Sequence, residues 1–326
     1  MAKKKPNKVY LVTGSAGFIG FHVSKALLER GETVIGIDSF NNYYPSTLKY
    51  ARNHYLVCNY DKFIGREGNI TNPNDVKDIF CFYSPNYICH LAAYAGVPYS
   101  MQNPLIYEHN NGIGFIQLME IARLWPIKNF VYASSSSVYG DVEDQTAIKE
   151  EMNTETPLSV YSATKKYNEL LAYVYSNFYK IPMTGLRFFT VYGPWGRPDM
   201  SIFKWVKALY EKQPLILNNF GNMWRDYTFV DDTVSGIIAA LDNPQPFKIY
   251  NLGRGEPAKI LDVVNMLQEH TGIKGEIEMR ELPDGEILYS MADITKVRED
   301  LGYEPKTSVY EGTRQFVEWY RDYYKV

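Results

Sequence analysis

The chain has 326 residues, of which 45% are hydrophobic and 22% charged, a composition typical of a globular protein with one large domain or two smaller ones. Its net charge of −3 argues against a nucleic-acid-binding surface, and the lack of any run of about 18 apolar residues argues against a transmembrane helix. Three cysteines without CxxC spacing, and basic residues 1–8 without the apolar segment of a signal peptide, predict a cytoplasmic protein with neither a disulfide nor a metal framework.

Strand-like and helix-like segments alternate through the first half of the chain. Short apolar runs, typical of strands buried on both faces of a parallel sheet, predict strands at residues 8–13, 33–38, 67–70, 87–92, 130–135 and 183–191. Helical patterns lie between them at residues 17–30, 74–83, 104–125 and 162–179. This alternation predicts an α/β fold with a doubly wound parallel sheet and right-handed crossovers.

The pattern changes after Gly193, where a loop rich in proline and glycine begins. The second half predicts helices and short strands in the order 201–212, 215–217, 229–241, 248–252, 260–271, 294–301 and 309–324. We therefore predict a first domain of residues 1–192, rejoined by residues 226–252. Residues 193–225 and 253–326 form a smaller C-terminal α/β domain that covers the carboxyl ends of the strands, where ligands of such sheets bind.

Three glycines, Gly14, Gly17 and Gly20, connect the first predicted strand to the first predicted helix. This spacing permits a tight turn and a close approach of the backbone to a pyrophosphate, which the helix N-terminus attracts. Asp38 ends the second strand, where a carboxylate can accept a hydrogen bond from a ribose 2′-OH and repel a 2′-phosphate. The stretch predicts a Rossmann-like domain that binds NAD, although Lys49 and Arg52 leave NADP open. The alternative is an ordinary strand-to-helix loop.

Tyr161 and Lys165 lie four residues apart, so they share one face of the predicted helix. The ordinary pKa of a phenol, near 10, is too high for a base at neutral pH, and a neighbouring ammonium group would lower it by favouring phenolate. Ser134, Ser135, Ser136 and Ser137 follow an apolar strand and can reach a ligand at its carboxyl end. A solvated tyrosine–lysine pair and a serine-rich capping turn are the alternatives.

Taken together, these motifs resemble the extended short-chain dehydrogenases/reductases over nearly the whole chain. The resemblance rests on residues 14–20, 90–93 and 134–140, on the Tyr161-x-x-x-Lys165 pair, and on residues 186–194. Residues 95–100, 134–140 and 190–200 further resemble the UDP-glucuronate 4-epimerases, which interconvert UDP-glucuronate and UDP-galacturonate with a tightly held NAD. The positions that the resemblance implies as cofactor contacts are Gly14, Gly17, Phe18, Ile19, Gly20, Asp38, Asn69, Ile70, Leu91, Ala92, Ala93, Asn111, Tyr161, Lys165, Phe189 and Val191.

The resemblance also implies roles in the reaction. Tyr161 removes the proton from the sugar 4-OH, Ser135 bonds the same oxygen, and Lys165 holds the nicotinamide ribose and tunes Tyr161. Arg225 binds the UDP phosphates, with a surface pair to Asp226 as the alternative. A clamp holds the uronate carboxylate out of the alignment that would release CO₂, and its candidates are Ser136, Ser137, Thr190 and Arg197.

Two departures from the family pattern bear on specificity. The family commonly carries arginine at the position of Pro98, and aspartate at that of Asn69. Ser137 stands where related dehydratases and decarboxylases have glutamate, which favours epimerisation. A 4-epimerase of neutral or N-acetylated UDP-hexoses, a UDP-uronate decarboxylase and an idle NAD-binding scaffold remain as alternatives. The resemblance also implies a homodimer through residues 104–125 and 162–179.

Overall fold

A seven-stranded parallel sheet forms the centre of the protein. The structure is a computed structural model, and it describes residues 8–142, 145–283 and 287–326. The strands of the whole described structure, in the large sheet and in three small ones, are β1 (Val9–Thr13), β2 (Thr33–Asp38), β3 (Phe63–Glu67), β4 (Tyr87–His90), β5 (Asn129–Ser135), β6 (Met183–Phe188), β7 (Thr190–Tyr192), β8 (Leu215–Leu217), β9 (Trp224–Arg225), β10 (Tyr227–Phe229), β11 (Phe247–Leu252), β12 (Ala258–Lys259) and β13 (Ile277–Met279). The large sheet has the order β11-β6-β5-β4-β1-β2-β3.

Helices cover both faces of this sheet and build the C-terminal part. They are α1 (Phe18–Glu29), α2 (Thr47–Asn59), α3 (Pro73–Tyr83), α4 (Val97–Gln102), α5 (Pro104–Tyr107), α6 (Gly114–Ala122), α7 (Val160–Tyr179), α8 (Ser201–Tyr210), α9 (Val230–Asp242), α10 (Ile260–Thr271), α11 (Thr295–Leu301) and α12 (Val309–Tyr324). None of the helices in the described ranges is long and apolar enough to cross a bilayer. The predicted doubly wound, Rossmann-like α/β fold is confirmed.

The strand order places a topological switch point between β1 and β4. The chain runs outward from β1 through β2 to β3, then returns to the other side of β1 and continues through β4, β5 and β6. The strand ends Thr13 and His90 lie side by side at this switch point. Ligands of open α/β sheets bind in the crevice that such a reversal leaves at the carboxyl ends of the strands.

The C-terminal part is held together by short strands and one buried carboxylate. Small two-stranded sheets pair β7 with β10, β8 with β13, and β9 with β12. Asp226 accepts hydrogen bonds from the backbone N–H groups of Arg254 (2.7 Å), Gly255 (2.9 Å) and Ala292 (3.0 Å), and from the Thr228 hydroxyl (3.1 Å). β11 pairs with β6, so the chain returns to the large sheet after the first small strands.

Several predicted elements are corrected. The third strand lies at β3, not at residues 67–70, and α2 and α4 were not predicted. The helix predicted at residues 104–125 is divided, because a π-helical segment, Glu108–Ile113, separates α5 from α6. The strand predicted at residues 183–191 breaks at Phe189, whose N–H donates to the Leu252 carbonyl (3.1 Å). The chain then leaves the large sheet and forms β7.

Candidate functional site

A cavity of about 1490 Å³ lies at the carboxyl ends of the strands, under the C-terminal part. Pockets for drug-sized ligands span roughly 300–1,000 Å³, so this cavity has room for more than one such ligand. Its wall includes all but one of the predicted site residues: Gly14, Gly17, Phe18, Ile19, Gly20, Asp38, Asn69, Ile70, Leu91, Ala92, Ala93, Ser135, Ser136, Ser137, Tyr161, Lys165, Phe189, Thr190, Val191, Arg197 and Arg225. Residues far apart in the sequence therefore meet at one site.

The glycine-rich turn forms a backbone cradle at one end of the cavity. Gly14 has φ +71°, and a Cβ there would lie 2.9 Å from the backbone nitrogen of Ala92. A Cβ on Gly20 would overlap the Gly14 carbonyl oxygen. Gly17 is the N-cap residue of α1. Because glycine has no side chain, it cannot accept a side-chain hydrogen bond from the first N–H groups of α1. This cradle fits a dinucleotide pyrophosphate.

Asp38 is fixed beside the cradle by two backbone hydrogen bonds. Its carboxylate accepts from the N–H of Ala16 (3.1 Å) and of Phe40 (2.9 Å), which leaves further lone pairs for a ribose hydroxyl. Lys49, one of the two basic residues for which NADP binding was considered, donates to the Asn41 carbonyl (2.8 Å) and lines the cavity. Arg52 does not lie on the cavity wall.

The predicted catalytic residues converge on the helix α7 and the end of β5. Ser159 caps α7 by accepting from the N–H of Ser162 (3.1 Å), which fixes the first turn carrying Tyr161. Burial raises the pKa of Tyr161, and a hydrogen bond with Ser135 acts in the opposite direction. The Ser135 hydroxyl oxygen accepts from the N–H (3.2 Å) and the hydroxyl (2.9 Å) of Ser137, so its own proton is available for the Tyr161 oxygen.

Lys165 lies one helical turn after Tyr161 and is almost fully buried. Its ammonium donates to the Ala133 carbonyl (2.9 Å) and lies 5.9 Å from the centre of the Tyr161 ring. Burial lowers the pKa of Lys165 to about 8. Lys165 and Tyr161 both line the cavity, with the ammonium near the face of the Tyr161 ring.

Arg197, a predicted clamp residue, already holds a carboxylate of the protein. Its Nε donates to Asp199 (3.0 Å), and one Nη makes a second bond to the other oxygen of the same carboxylate. Tyr43 donates to Asp199 as well (3.2 Å), and Arg197 also reaches the Ala95 carbonyl (3.4 Å). Burial alone would raise the pKa of Asp199, but Arg197 brings it below its ordinary value. Neither Asp199 nor Tyr43 was predicted as a site residue; the Arg-x-Asp spacing was the available signal for Asp199.

A buried ion pair beneath the serines was also missed. Glu169 accepts from Ser134 (2.6 Å) and forms two parallel bonds with Arg187, each 2.8 Å long. Arg187 also donates to the Tyr139 hydroxyl (2.7 Å), which in turn donates to Asn251 (2.6 Å). The signal was the continued spacing of four residues from Lys165 to Glu169, which extends the same helix face. The network joins α7 to β5, β6 and β11 behind the site.

Asn111 is the one predicted cofactor residue that does not line the cavity. It lies in the π-helical segment, and its amide bonds the N–H (2.9 Å) and the carbonyl (2.9 Å) of Tyr94 and the Thr164 hydroxyl (3.1 Å). The wide turn positions this side chain against α7. Asn111 therefore supports the wall of the site from behind.

Comparisons with known proteins show which family the chain belongs to. Residues 10–253 match the model of the NAD dependent epimerase/dehydratase family. UDP-glucuronate 4-epimerase 4 of Arabidopsis thaliana is 40% identical over 332 residues, covering 96% of this chain and 75% of that protein. The crystal structure of UDP-glucuronic acid 4-epimerase from Bacillus cereus, in complex with UDP-glucuronic acid and NAD, has a TM-score of 0.91 at 34% identity and covers 97% of this chain and 100% of that one.

A relative with another substrate has nearly the same fold. UDP-glucose 4-epimerase from Thermotoga maritima, with UDP-glucose, has a TM-score of 0.88 at 28% identity and covers 97% of this chain and 99% of that one. Its similarity extends over the same length, so the fold alone does not select the sugar. With three quarters of its length matched by the family model and a glycine-rich cradle beside a tyrosine–lysine pair, the chain belongs to the NAD-dependent epimerase/dehydratase family.

Proposed function

We propose that the protein is a UDP-glucuronate 4-epimerase that interconverts UDP-glucuronate and UDP-galacturonate. The observation that carries the proposal is the meeting of Tyr161, Ser135 and Lys165 in one cavity with the glycine-rich cradle and the predicted carboxylate clamp. The identity of 40% to an Arabidopsis UDP-glucuronate 4-epimerase supports the choice of substrate.

The first part of the site holds NAD. When bound, NAD supplies a reversible acceptor for the hydride of the sugar C4. Gly14, Gly17 and Gly20 allow the backbone to approach the pyrophosphate, and Asp38 accepts a hydrogen bond from the adenosine ribose. A carboxylate at this position repels a 2′-phosphate, so NAD is the cofactor rather than NADP.

The second part moves the proton. Tyr161, as phenolate, accepts the proton of the sugar 4-OH and returns it after the 4-keto sugar has turned over in the pocket. Ser135 donates to the same oxygen, and the Lys165 ammonium favours the phenolate over the phenol. The cavity of about 1490 Å³ exceeds the roughly 300–1,000 Å³ of a pocket for one drug-sized ligand, which supports binding of the cofactor and the sugar nucleotide together.

The third part protects the carboxylate. A 4-keto uronate is a β-keto acid and loses CO₂ when its C5–C6 bond aligns with the ketone π system. Ser136, Ser137, Thr190 and Arg197 hold the carboxylate away from this alignment. Because Nε and one Nη of Arg197 already bond Asp199, Arg197 reaches the substrate carboxylate through its remaining Nη donors. Arg225 lines the same cavity and binds the diphosphate.

One other reaction has a specific observation in its favour. The similarity to a UDP-glucose 4-epimerase and the presence of Pro98 favour a neutral hexose as substrate. Decarboxylation to a UDP-pentose has no such observation in its favour. Ser137, at the position where related decarboxylases carry glutamate, supports epimerisation instead.

The test is to incubate the purified protein with UDP-glucuronate and follow the products by proton NMR. Formation of UDP-galacturonate without CO₂ supports the proposal. A UDP-pentose as the main product, or no turnover of UDP-glucuronate alongside turnover of UDP-glucose, refutes it. The Arg298→Met variant, changed at an exposed position of α11, is expected to give the same products and serves as the control for expression and purification.

We also propose that the protein is a cytoplasmic homodimer, with residues 1–192 and 226–252 binding the cofactor and the remainder binding the sugar nucleotide. The outer face of α7 supports the dimer, because Leu170, Tyr173, Val174 and Phe178 are all more than half exposed on it. Contiguous apolar surface of this kind is typical of an interface. Light scattering of Phe178→Glu is expected to give a monomer. The proposed dimer is wrong if the unmodified protein is itself monomeric at micromolar concentration.

A further inference from the structure

Two side chains from the cofactor-binding half hold three consecutive carbonyl groups of the loop at residues 194–196. His22 of α1 bonds the Pro194 carbonyl through Nε2 (2.9 Å). Arg52 of α2 donates through one Nη to the carbonyls of Trp195 (2.5 Å) and Gly196 (3.2 Å). The residue that follows is Arg197, so the backbone leading into the clamp is fastened immediately before it.

The other half of the Arg52 guanidinium faces the glycine-rich turn. Its second Nη donates to the Ala16 carbonyl (2.9 Å) and to the Tyr44 hydroxyl (2.8 Å). Ala16 lies between Gly14 and Gly17 in the cofactor cradle. One planar guanidinium therefore joins the cradle to the 194–196 loop, a task that requires several donors in a fixed fork and that lysine cannot perform.

This arginine is buried in an unusual way. Its side chain is 0% exposed, its Nε has no hydrogen-bond partner, and its four acceptors are three carbonyl oxygens and a phenol, none of them charged. Burying a cation among neutral acceptors is costly, and an apolar side chain would be cheaper for stability alone. The position of Arg52 is therefore better explained by what it holds in place than by the stability it contributes.

The 194–196 loop needs such support. Trp195 has φ +60°, a left-handed conformation that is unfavourable for a residue with a side chain. Its ring packs against Phe21 (5.3 Å between ring centres) and Trp319 (5.6 Å), so side chain and backbone are both fixed. With the carbonyls of residues 194–196 held, the direction in which the chain enters Arg197 is determined.

We infer that Arg52 is a positioning residue for the sugar clamp: by holding the carbonyls of Trp195 and Gly196, it determines where the Arg197 guanidinium meets the substrate carboxylate. This inference rests on the proposed function. Arg52 does not line the cavity, and it acts on the substrate only through Arg197. Arg52 also bonds Ala16, so one side chain connects the loop before the clamp to the cofactor cradle.

The test compares Arg52→Met with the surface control Arg298→Met. Loss of a well-placed bond to a charged group changes binding by about ten- to a hundredfold, so we expect KM for UDP-glucuronate to rise by about this factor in Arg52→Met. Because Arg52 also bonds Ala16 in the cofactor cradle, all variants are assayed with saturating NAD. Under that condition the inhibition constant of UDP, which lacks the carboxylate, is expected to stay the same. The fraction of turnovers that release CO₂ is expected to rise. An equal rise in the KM for UDP-glucuronate and in the inhibition constant of UDP would overturn the inference, and so would an unchanged KM.

A double-mutant cycle separates positioning from a general effect on folding. If Arg52 acts through Arg197, Arg52→Met added to Arg197→Met raises KM little beyond the effect of Arg197→Met alone. Effects that multiply would show that Arg52 acts elsewhere. If Arg52→Met does not fold, Arg52→Lys enters the same cycle. Failure of the unmodified protein to convert UDP-glucuronate refutes the proposed function, whereas a fully active protein with an unaffected Arg52 variant refutes only this inference.

Discussion

Replacing Glu169 by glutamine leaves the Arg187 guanidinium in the protein interior without its counter-charge. The side chains of Glu169 and Arg187 are 2% and 4% exposed, and two parallel 2.8 Å bonds join them. Burial alone lowers the pKa of Arg187, but the bonds and charge of Glu169 raise it overall, which is the mark of a strongly paired cation.

Glutamine keeps the shape but not the interaction. Its amide NH₂ would face one of the Arg187 donors, so one of the two parallel bonds becomes a clash of donors, and Ser134 loses a charged acceptor. Removing one partner of a buried ion pair costs about 3–5 kcal/mol, because an uncompensated charge remains. The ion pair Lys207–Glu211 offers a matched comparison, since its side chains are 53% and 55% exposed and exposed pairs contribute about 0–1 kcal/mol.

The assay is urea unfolding followed by tryptophan fluorescence, for Glu169→Gln and Glu211→Gln under one set of conditions. We expect Glu169→Gln to lose at least about 3 kcal/mol in free energy of unfolding and Glu211→Gln less than about 1 kcal/mol. A difference below about 1 kcal/mol between the two variants would refute the reasoning. The double variant Glu169→Leu/Arg187→Met is expected to recover much of the loss, because no charge is then left buried.

Three further results are expected. Tyr161→Phe should reduce kcat by about 10²–10⁴-fold while NAD stays bound, as measured by initial rates and by the nucleotide released on denaturation; full activity would refute the role of Tyr161 as the base. The folded-state pKa of Lys165, about 8, lies below its ordinary value of 10.5, so the unfolded chain binds more protons between these values. The contribution of Lys165 to stability should therefore increase as the pH rises from 8 to 10.5, and Lys165→Met, compared by unfolding at several pH values, should lack this increase. Gly20→Ala should abolish NAD retention, because its Cβ would overlap the Gly14 carbonyl; Gly31→Ala, at a glycine with no atom near its Cβ, is the control for nucleotide content, although its φ of +79° will cost some stability.

Elements with a buried apolar pattern were predictable, and those whose inward face is polar were not. The runs that became β1, β2 and β5 were recognised because nearly all of their residues are buried. α2 was missed because its buried face includes Lys49 and Arg52 beside Leu48 and Leu56, so the helical period is not one of apolar residues.

The edge of the sheet shows the same limit. β3 has a single buried residue, Phe63, followed by increasingly exposed ones. The strand was therefore predicted at the neighbouring residues 67–70 instead. The π-helical segment was not predictable either, because the residues around Asn111 continue a helical pattern and the widened turn depends on its contacts with Tyr94 and Thr164.

Spacing predicted the glycine-rich turn and the tyrosine–lysine pair, and the family resemblance supplied most of the other predicted site residues, whereas their hydrogen-bond partners were not predicted. Tyr161 and Lys165 are close in sequence, and their relation follows from helix geometry. The pairs that hold the clamp, Arg197 with Asp199 and Arg52 with the loop before Arg197, depend on the conformation of that loop. A loop that contains Trp195 at positive φ is determined by packing between distant elements, which one sequence does not reveal.

The late arrival of β11 has a consequence for how the protein is made. β6 ends at Phe188, but its neighbour β11 ends only at Leu252, so the last strand of the sheet emerges from the ribosome well after the other six. At about 5–20 residues per second, synthesis of the intervening segment takes roughly 3–13 s. During that interval the outer edge of β6 carries unpaired backbone groups, which can pair with another chain. A nascent chain on a crowded polysome is therefore most prone to aggregation in this window, and a slower codon run between β6 and β11 would lengthen it.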